Sequence, residues 1–160
     1  MPDRPLAVFD IDGVLADVTH RVHLLQQRPP EWDAFFAAAR HDPVLPAGVA
    51  LLLEAARDCD VLYLSGRPER CRADTLDWFT QHALPTGALC LRGDLDRRPA
   101  AVAKPGWLIE ASRGRIVAVV VDDDPDVCEA YRAGGWTVLQ ATWAQRPEEV
   151  ARAQEIDGRS

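Results

Sequence analysis

Residues 6–17 read Leu6-Ala7-Val8-Phe9-Asp10-Ile11-Asp12-Gly13-Val14-Leu15-Ala16-Asp17. An apolar run ends on two aspartates one residue apart, and a glycine follows at once. The pattern predicts a buried strand that delivers carboxylates at its C-terminal end. Two carboxylates that close repel each other and lose hydration on burial. A bound cation relieves the repulsion and holds one of them as a nucleophile.

Apolar runs at 61–64, 88–91, 116–121 and 136–140 predict four more strands. Ile116–Val121 is β-branched and continuous, which predicts a central strand of a parallel sheet. Helical spacing fills the intervals. Residues 46–58 carry Val49, Leu52, Leu53 and Ala56, and residues 68–82 carry Leu76, Trp78 and Phe79. Asp124-Pro125 reads as an N-cap followed by proline in the first turn, opening a helix to Ala133 that Gly134-Gly135 ends. Strands alternating with helices predict an α/β fold with a doubly wound parallel sheet and right-handed crossovers. Residues 14–45 break the alternation with two helical stretches, 18–28 and 30–41. The second places Trp32, Phe35, Phe36 and Ala39 on one face. It reads either as a core-packing helix or as a flap over the mouth beside Asp10.

The chain has 160 residues, enough for one domain spanning 1–160. Its 48% hydrophobic and 27% charged content is that of a globular protein. No apolar run approaches a membrane-spanning length, and the N-terminus enters a strand with no signal-peptide core, so the expected setting is cytoplasmic, with no membrane partner. A net charge of −7 disfavours broad nucleic-acid binding and leaves room for a local basic cleft. Cys59, Cys71, Cys90 and Cys128 are dispersed, which predicts reduced thiols and no zinc site. His20 and His23 lie three apart, without a matching pair elsewhere.

Ligands of open α/β sheets bind beyond the carboxyl ends of the strands. The first strand delivers Asp10 and Asp12 there, the second Ser65-Gly66-Arg67-Pro68, and the central strand Asp122-Asp123-Asp124 with Asp126 just beyond. Lys104, the single lysine among 18 basic residues, precedes the central strand near the start of a predicted helix. Alone, each element has a bland reading: a turn, a solvated loop, a surface charge. Their order and common location do not. The chain resembles the haloacid-dehalogenase (HAD) superfamily of phosphatases, whose four motifs appear in order as Asp-x-Asp-Gly-Val at 10–14, Ser65, Lys104 and the acidic cluster at 122–126. The resemblance implies a Rossmann-like HAD core, capless or with only a small helical flap at about 14–45. It also implies a Mg²⁺-dependent phosphomonoesterase. Asp10 would attack phosphorus, and Asp12 would protonate the leaving alkoxide and then activate water. Mg²⁺ would sit between the Asp10 carboxylate, the Asp12 carbonyl and Asp122, with Asp123 or Asp126 holding a bound water and Asp123 preferred. Ser65 and nearby amides, including that of Gly66, would hold phosphoryl oxygens. Lys104 would offset charge as a compact cation that arginine does not replace.

Arg67, Arg21 and the stretch Trp32-Asp33-Ala34-Phe35-Phe36 are similar to features of the 3′-phosphatase domain of phage-type polynucleotide kinase-phosphatases. That likeness implies Arg67 as a substrate-phosphate contact. For Arg21 the same role stands beside that of a solvent-facing helix residue. No phosphate-binding G-x-x-x-x-G-K-[ST] loop accompanies it. One departure is Ala100, where these relatives usually carry an aspartate four residues before the lysine. Asp94 and Asp96 of the preceding loop are candidates to supply that charge. Pro105 and Gly106 are also unusual in a helix. About 55 residues separate Asp10 from Ser65 and about 39 separate Ser65 from Lys104, which leaves no room for a full cap domain. The expected partner is a phosphate monoester, with a nucleic-acid 3′ end among the candidates, and the expected state is a monomer or small homo-oligomer. The rival readings are a small-molecule phosphatase and a catalytically weak HAD-fold binding protein. A response-regulator receiver, with its acidic pair first and its phosphoacceptor on the third strand, has the wrong order.

Overall fold

In the computed structural model, which describes residues 3–160, Leu6–Phe9 forms the buried strand β1. Strands β2 (Asp60–Pro68), β3 (Gly87–Arg92), β4 (Val117–Asp122) and β5 (Val138–Gln140) complete one sheet in the order β3-β2-β1-β4-β5, with every pairing parallel. Helices α1 (Trp32–Ala37) and α2 (Pro46–Ala55) precede β2. Helices α3 (Arg72–Gln81), α4 (Ala100–Ser112) and α5 (Pro125–Ala133) precede β3, β4 and β5, and α6 (Glu148–Glu155) follows β5. The chain winds outward from β1 on one side, then returns to pair β4 on the other. The reversal places a crevice between the ends of β1 and β4.

Alternate side chains explain why the strands read as continuous apolar runs. Ala7 and Phe9 face a core with Tyr63, Leu52 of α2 and Trp78 and Phe79 of α3. Leu6 and Val8 face the opposite core with Leu62, Leu108 of α4 and Val127 and Tyr131 of α5. Both faces of the sheet are covered, so neither needs polar residues. Each fully buried large apolar side chain contributes about 1.5–3 kcal/mol.

Several boundaries differ from the sequence reading. β2 runs on to Pro68, so Ser65-Gly66-Arg67 is strand instead of turn, and the pairing with β3 shifts register between Leu64 and Pro68. Such an irregularity re-aims side chains at a strand end. A 3₁₀ turn over Glu69–Cys71 delays α3 to Arg72. Ile116 lies outside β4 and is exposed, while Asp122 is inside. Pro105 sits within α4, which continues around it with Ala100, Ala103, Lys104 and Leu108 buried. The Asp124 side chain does cap α5, accepting from the amides of Asp126 and Val127.

The segment 14–45 forms 3₁₀ turns at Thr19–Leu25 and Ala38–His41 around the short α1, in place of two longer helices. Pro29 and Pro30 withhold the amides a continuous helix needs. Val18, Val22, Leu25, Phe35 and Phe36 make a third core with Cys71 and with Val150 and Ala153 of α6. The segment is thus clamped from two sides. Among the described residues, no helix is long and apolar enough to cross a membrane.

Candidate active site

Two carboxylates leave β1 into different surroundings. Asp10 Oδ1 accepts from the Ile11 amide at 2.8 Å. Its Oδ2 lies 3.2 Å from Lys104 Nζ, out of line for a hydrogen bond, and has no hydrogen-bond partner although it is buried. Lys104 reaches the site from the first turns of α4 and donates to Asp122 Oδ2 at 2.7 Å. Asp122 Oδ1 accepts from the Asp124 amide at 3.0 Å. Asp123 Oδ1 is buried and unpartnered. Carboxylate oxygens of Asp10, Asp122 and Asp123 all lie within 4.8 Å of one another. Gly13 makes the crowding possible: its φ is +79°, and a Cβ there would stand 2.1 Å from Asp123 Oδ2.

The charges do not balance. Burial, reinforced by Asp122, Asp123 and Asp12 and opposed by Lys104, raises the Asp10 pKa well above the usual carboxylate range. Burial and Asp122 push Asp123 up to about 8 against the pull of Lys104 and Arg146. Burial disfavours the Lys104 ammonium, but Asp10 and Asp122 outweigh it and raise its pKa well above the ordinary value. Three clustered carboxylates thus share one ammonium and leave two buried oxygens unpartnered, a donor set that fits a hard divalent cation. Asp126 is exposed and groups with Asp124 and Glu155, apart from this cluster.

Asp12 faces two guanidinium groups. Arg67 donates to it through Nη2 at 2.6 Å and Nε at 3.1 Å, and Arg21 Nη2 at 3.1 Å. Burial works against ionised Asp12, but Arg67 and then Arg21 overcome it and lower its pKa. Both arginines are fully buried. Arg67 projects from the end of β2 and also donates to Thr75 Oγ1 at 3.2 Å. Arg21 lies over the Phe35 ring at 4.3 Å and donates to the Phe35 carbonyl at 3.3 Å. It is therefore no solvent-facing residue.

Sequence reading missed the group that organises this pair. Asp42 accepts from Arg21 Nε and Nη2, both at 2.8 Å, and from Arg67 Nη2 at 3.2 Å. His20 Nε2 lies 2.7 Å from it, and its carbonyl accepts from Trp78 Nε1 at 2.9 Å. Asp42 is buried near the end of the 14–45 segment, just after its second 3₁₀ turn. The only hint was an aspartate before a proline, which ordinarily means a turn. Arg92 was missed too. At the end of β3 it is buried and donates through Nε to the Gly66 carbonyl at 3.1 Å. Burial lowers its pKa to about 10.

Ser65 is buried, and its Oγ accepts from the Arg67 amide at 3.2 Å. Ala100 is buried as well. The loop carboxylates expected to stand in for the missing aspartate are engaged elsewhere. Asp96 pairs with Arg98 at 2.7 Å, and Asp94 accepts from the Arg70 amide at 3.0 Å.

The fold is shared with known structures. A chain of the Pnkp1/Rnl/Hen1 complex matches with a TM-score of 0.73 at 21% identity, over 90% of this chain and 47% of that one. A chain of the Pnkp1/Rnl/Hen1 RNA repair complex matches with a TM-score of 0.72 at 24% identity, over 91% and 46%. This chain therefore spans about half the length of those relatives. A HAD family enzyme from Bacteroides thetaiotaomicron, solved with magnesium and inorganic phosphate, matches with a TM-score of 0.56 at 12% identity, over 92% and 98%. No curated protein matches by sequence. The family model described as the polynucleotide kinase PNKP phosphatase domain matches residues 5–145, from the entry to β1 past the end of β5, and the chain belongs to that family of HAD-type phosphatases.

Proposed function

We propose that the protein is a Mg²⁺-dependent phosphomonoesterase that forms an aspartyl-phosphate on Asp10 and acts on the 3′-phosphate at a nucleic-acid end. The observation that carries this reading is the opposite treatment of two aspartates one residue apart. Asp10 lies among carboxylates whose repulsion a cation relieves, while Asp12 lies among arginines. With a cation among its neighbours Asp10 would be ionised and fit to attack, whereas Asp12 would carry a proton only once substrate draws its arginines away.

Asp10, Asp122 and Asp123, with the Asp12 carbonyl, would hold the cation. When bound, it cancels charge among the carboxylates and on the entering phosphoryl group. Lys104 steadies Asp10 and Asp122 with a charge that stays on at neutral pH. Asp10 attacks phosphorus as the bond from phosphorus to the leaving oxygen breaks, and the Asp12 proton passes to that oxygen. Water then attacks phosphorus as Asp12 takes its proton, the bond from phosphorus to the Asp10 oxygen breaks, and inorganic phosphate leaves with Asp10 restored as a carboxylate. In the free protein Arg67 and Arg21 hold Asp12 ionised, the wrong state for an acid. A phosphoryl dianion offers Arg67 a better bidentate partner. Turning toward it releases Asp12 to take up a proton. Ser65 and the Gly66 amide flank the phosphoryl group in this scheme.

The nucleic-acid assignment draws on family membership and on likeness to a chain of an RNA repair complex. The magnesium assignment draws on the unpartnered oxygens and on a similar fold solved with magnesium and phosphate. On this reading the chain acts as one phosphatase domain with the 14–45 segment as its flap. Its free thiols suit a reducing, cytoplasmic setting. Phosphate release from p-nitrophenyl phosphate and from 3′- and 5′-phosphorylated oligonucleotides, with Mg²⁺ and with EDTA, tests the reading. The expected result is Mg²⁺-dependent release with preference for the 3′ end. Undiminished turnover in EDTA would remove the metal step, and preference for 5′ ends or small esters would remove the substrate assignment.

A further inference from the structure

A groove of about 610 Å³ opens between the 14–45 segment, the loop after β3 and the chain after α6. Its floor is apolar, with buried Leu25 and half-buried Trp32. Arg28, Arg97, Arg152 and Arg159 line it, against the two acids Glu149 and Asp157. In a chain of net charge −7, a groove of net charge +2 is a local reversal of sign. The Arg159 guanidinium lies 5.0 Å over the Trp32 ring, which in turn stacks at 6.2 Å on Phe36. Rigid aromatic and guanidinium planes beside cationic side chains are what a single strand of nucleic acid recognises: bases stack, and phosphates pair with arginine.

The chain that lines the groove touches the end of β2. Ser160 follows Arg159 and packs against Gly66, where a Cβ would come within 2.1 Å of the Ser160 carbonyl carbon. Arg92 links the two by donating to the Gly66 carbonyl and, at 3.1 Å, to the Ser160 carbonyl. The same guanidinium donates at 2.7 Å to the carbonyl of Arg98, next to the groove residue Arg97. The strand end that holds Ser65 and the groove wall are thus tied together by one buried arginine.

We propose that this groove binds the nucleotides next to the terminal phosphate of a single-stranded nucleic acid, with the Arg159 guanidinium, backed by Trp32, as the stacking plane and Arg28, Arg97 and Arg152 as backbone contacts. The proposal rests on the nucleic-acid reading above and adds to it where the strand lies. A single strand can thread the groove as a flexible backbone, whereas a duplex buries its base faces in its own stack and offers nothing to the Arg159 plane.

The test compares a 3′-phosphorylated single-stranded hexanucleotide, as DNA and as RNA, with a 3′-nucleoside monophosphate. The native protein is expected to favour the hexanucleotide at least tenfold in kcat/KM at low salt, and the advantage falls as salt rises. Arg28→Glu/Arg152→Glu and Trp32→Ala each cut that ratio about tenfold or more. A ratio unchanged in both variants would overturn the proposal. Anisotropy of a fluorescent hexanucleotide reads the groove without turnover. Loss of binding in both variants supports the proposal even if no ester is hydrolysed, a result that would sink the phosphatase reading alone. Unchanged binding, or equal competition by polyglutamate of the same charge, would overturn it.

Discussion

Asp10 and Asp12 differ by two positions in the chain and by the whole design of the site around them. Asp10 belongs to the sheet: its neighbours come from β4 and the first turns of α4, which the parallel topology brings to the same edge. Asp12 belongs to the segment inserted after β1: its neighbours are Arg21 from that segment and Arg67 from β2, both anchored on Asp42. One half gathers negative charge around a single lysine. The other gathers positive charge around two aspartates. The contrast shows that local sequence chooses the residue type, while the elements packed above it choose its protonation state.

The largest effect should come from the half that carries the bond-making group. Asp10→Asn is expected to lower kcat by about 10⁴-fold or more, since the residual rate reflects positioning alone. Folding is checked by circular dichroism, and a variant that kept full turnover would deny Asp10 its nucleophilic role. In the same half, Lys104→Met leaves Asp10 and Asp122 buried beside each other without their cation. A loss of about 3–5 kcal/mol in denaturant unfolding is expected without magnesium. A loss below 1 kcal/mol would mean that the carboxylates are less strongly coupled to Lys104 than the geometry indicates.

The charge imbalance around Asp123 gives a pH signature. Its folded pKa of about 8 exceeds the unfolded value of about 4, so the folded state holds the proton more tightly. The stability this confers is present below about pH 4 and is lost as pH rises toward 8. Tm measured in EDTA should therefore fall from pH 5 to pH 8, and Asp123→Asn should flatten the slope. Magnesium should act most strongly at the alkaline end. At a hundredfold excess over its Kd it adds about 2.7 kcal/mol, roughly 5–10 °C for a chain of this size. A Tm indifferent to magnesium would remove the cation from the Asp10 half.

The smallest effect is expected in the other half. Asp42→Asn leaves two guanidinium groups with one carboxylate instead of two, which lowers the Asp12 pKa further. If protonated Asp12 is the acid, the alkaline limb of kcat moves to lower pH. The rate at neutral pH then falls about tenfold, equivalent to about 1.4 kcal/mol. A fall in stability with an unmoved pH profile would make Asp42 a purely structural anchor.

The halves also differed in how readable they were. The Asp10 half follows from strand-end chemistry: parallel β1 and β4 align their carboxyl ends, which brings Asp10 and Asp122 together once the strands are recognised, while the choice of Asp123 over Asp126 fell to the structure. Lys104 could be placed because it was alone in its chemistry and close to β4. The Asp12 half depends on a segment with no regular period. Nothing in the spacing of Arg21, Asp42 and Arg67 shows that 3₁₀ turns and a third small core would fold them over one carboxylate. Continuing β2 through Ser65-Gly66-Arg67 was equally hidden, because Gly-Arg-Pro reads as a turn until β3 supplies a pairing partner.

The order of apolar runs and the residues at their ends determined the sheet and the acidic cluster, since hydrophobic burial and parallel pairing act through local pattern and reach every copy of it alike. Tertiary packing alone decided which of the two aspartates would meet arginine and where Asp42 would stand. It also decided how Trp32 and Arg159, 127 positions apart in sequence, would stack. Those outcomes turn on the shape of a small core and on the charge left over when side chains from distant segments are buried together. Neither quantity is written in any one stretch of the chain.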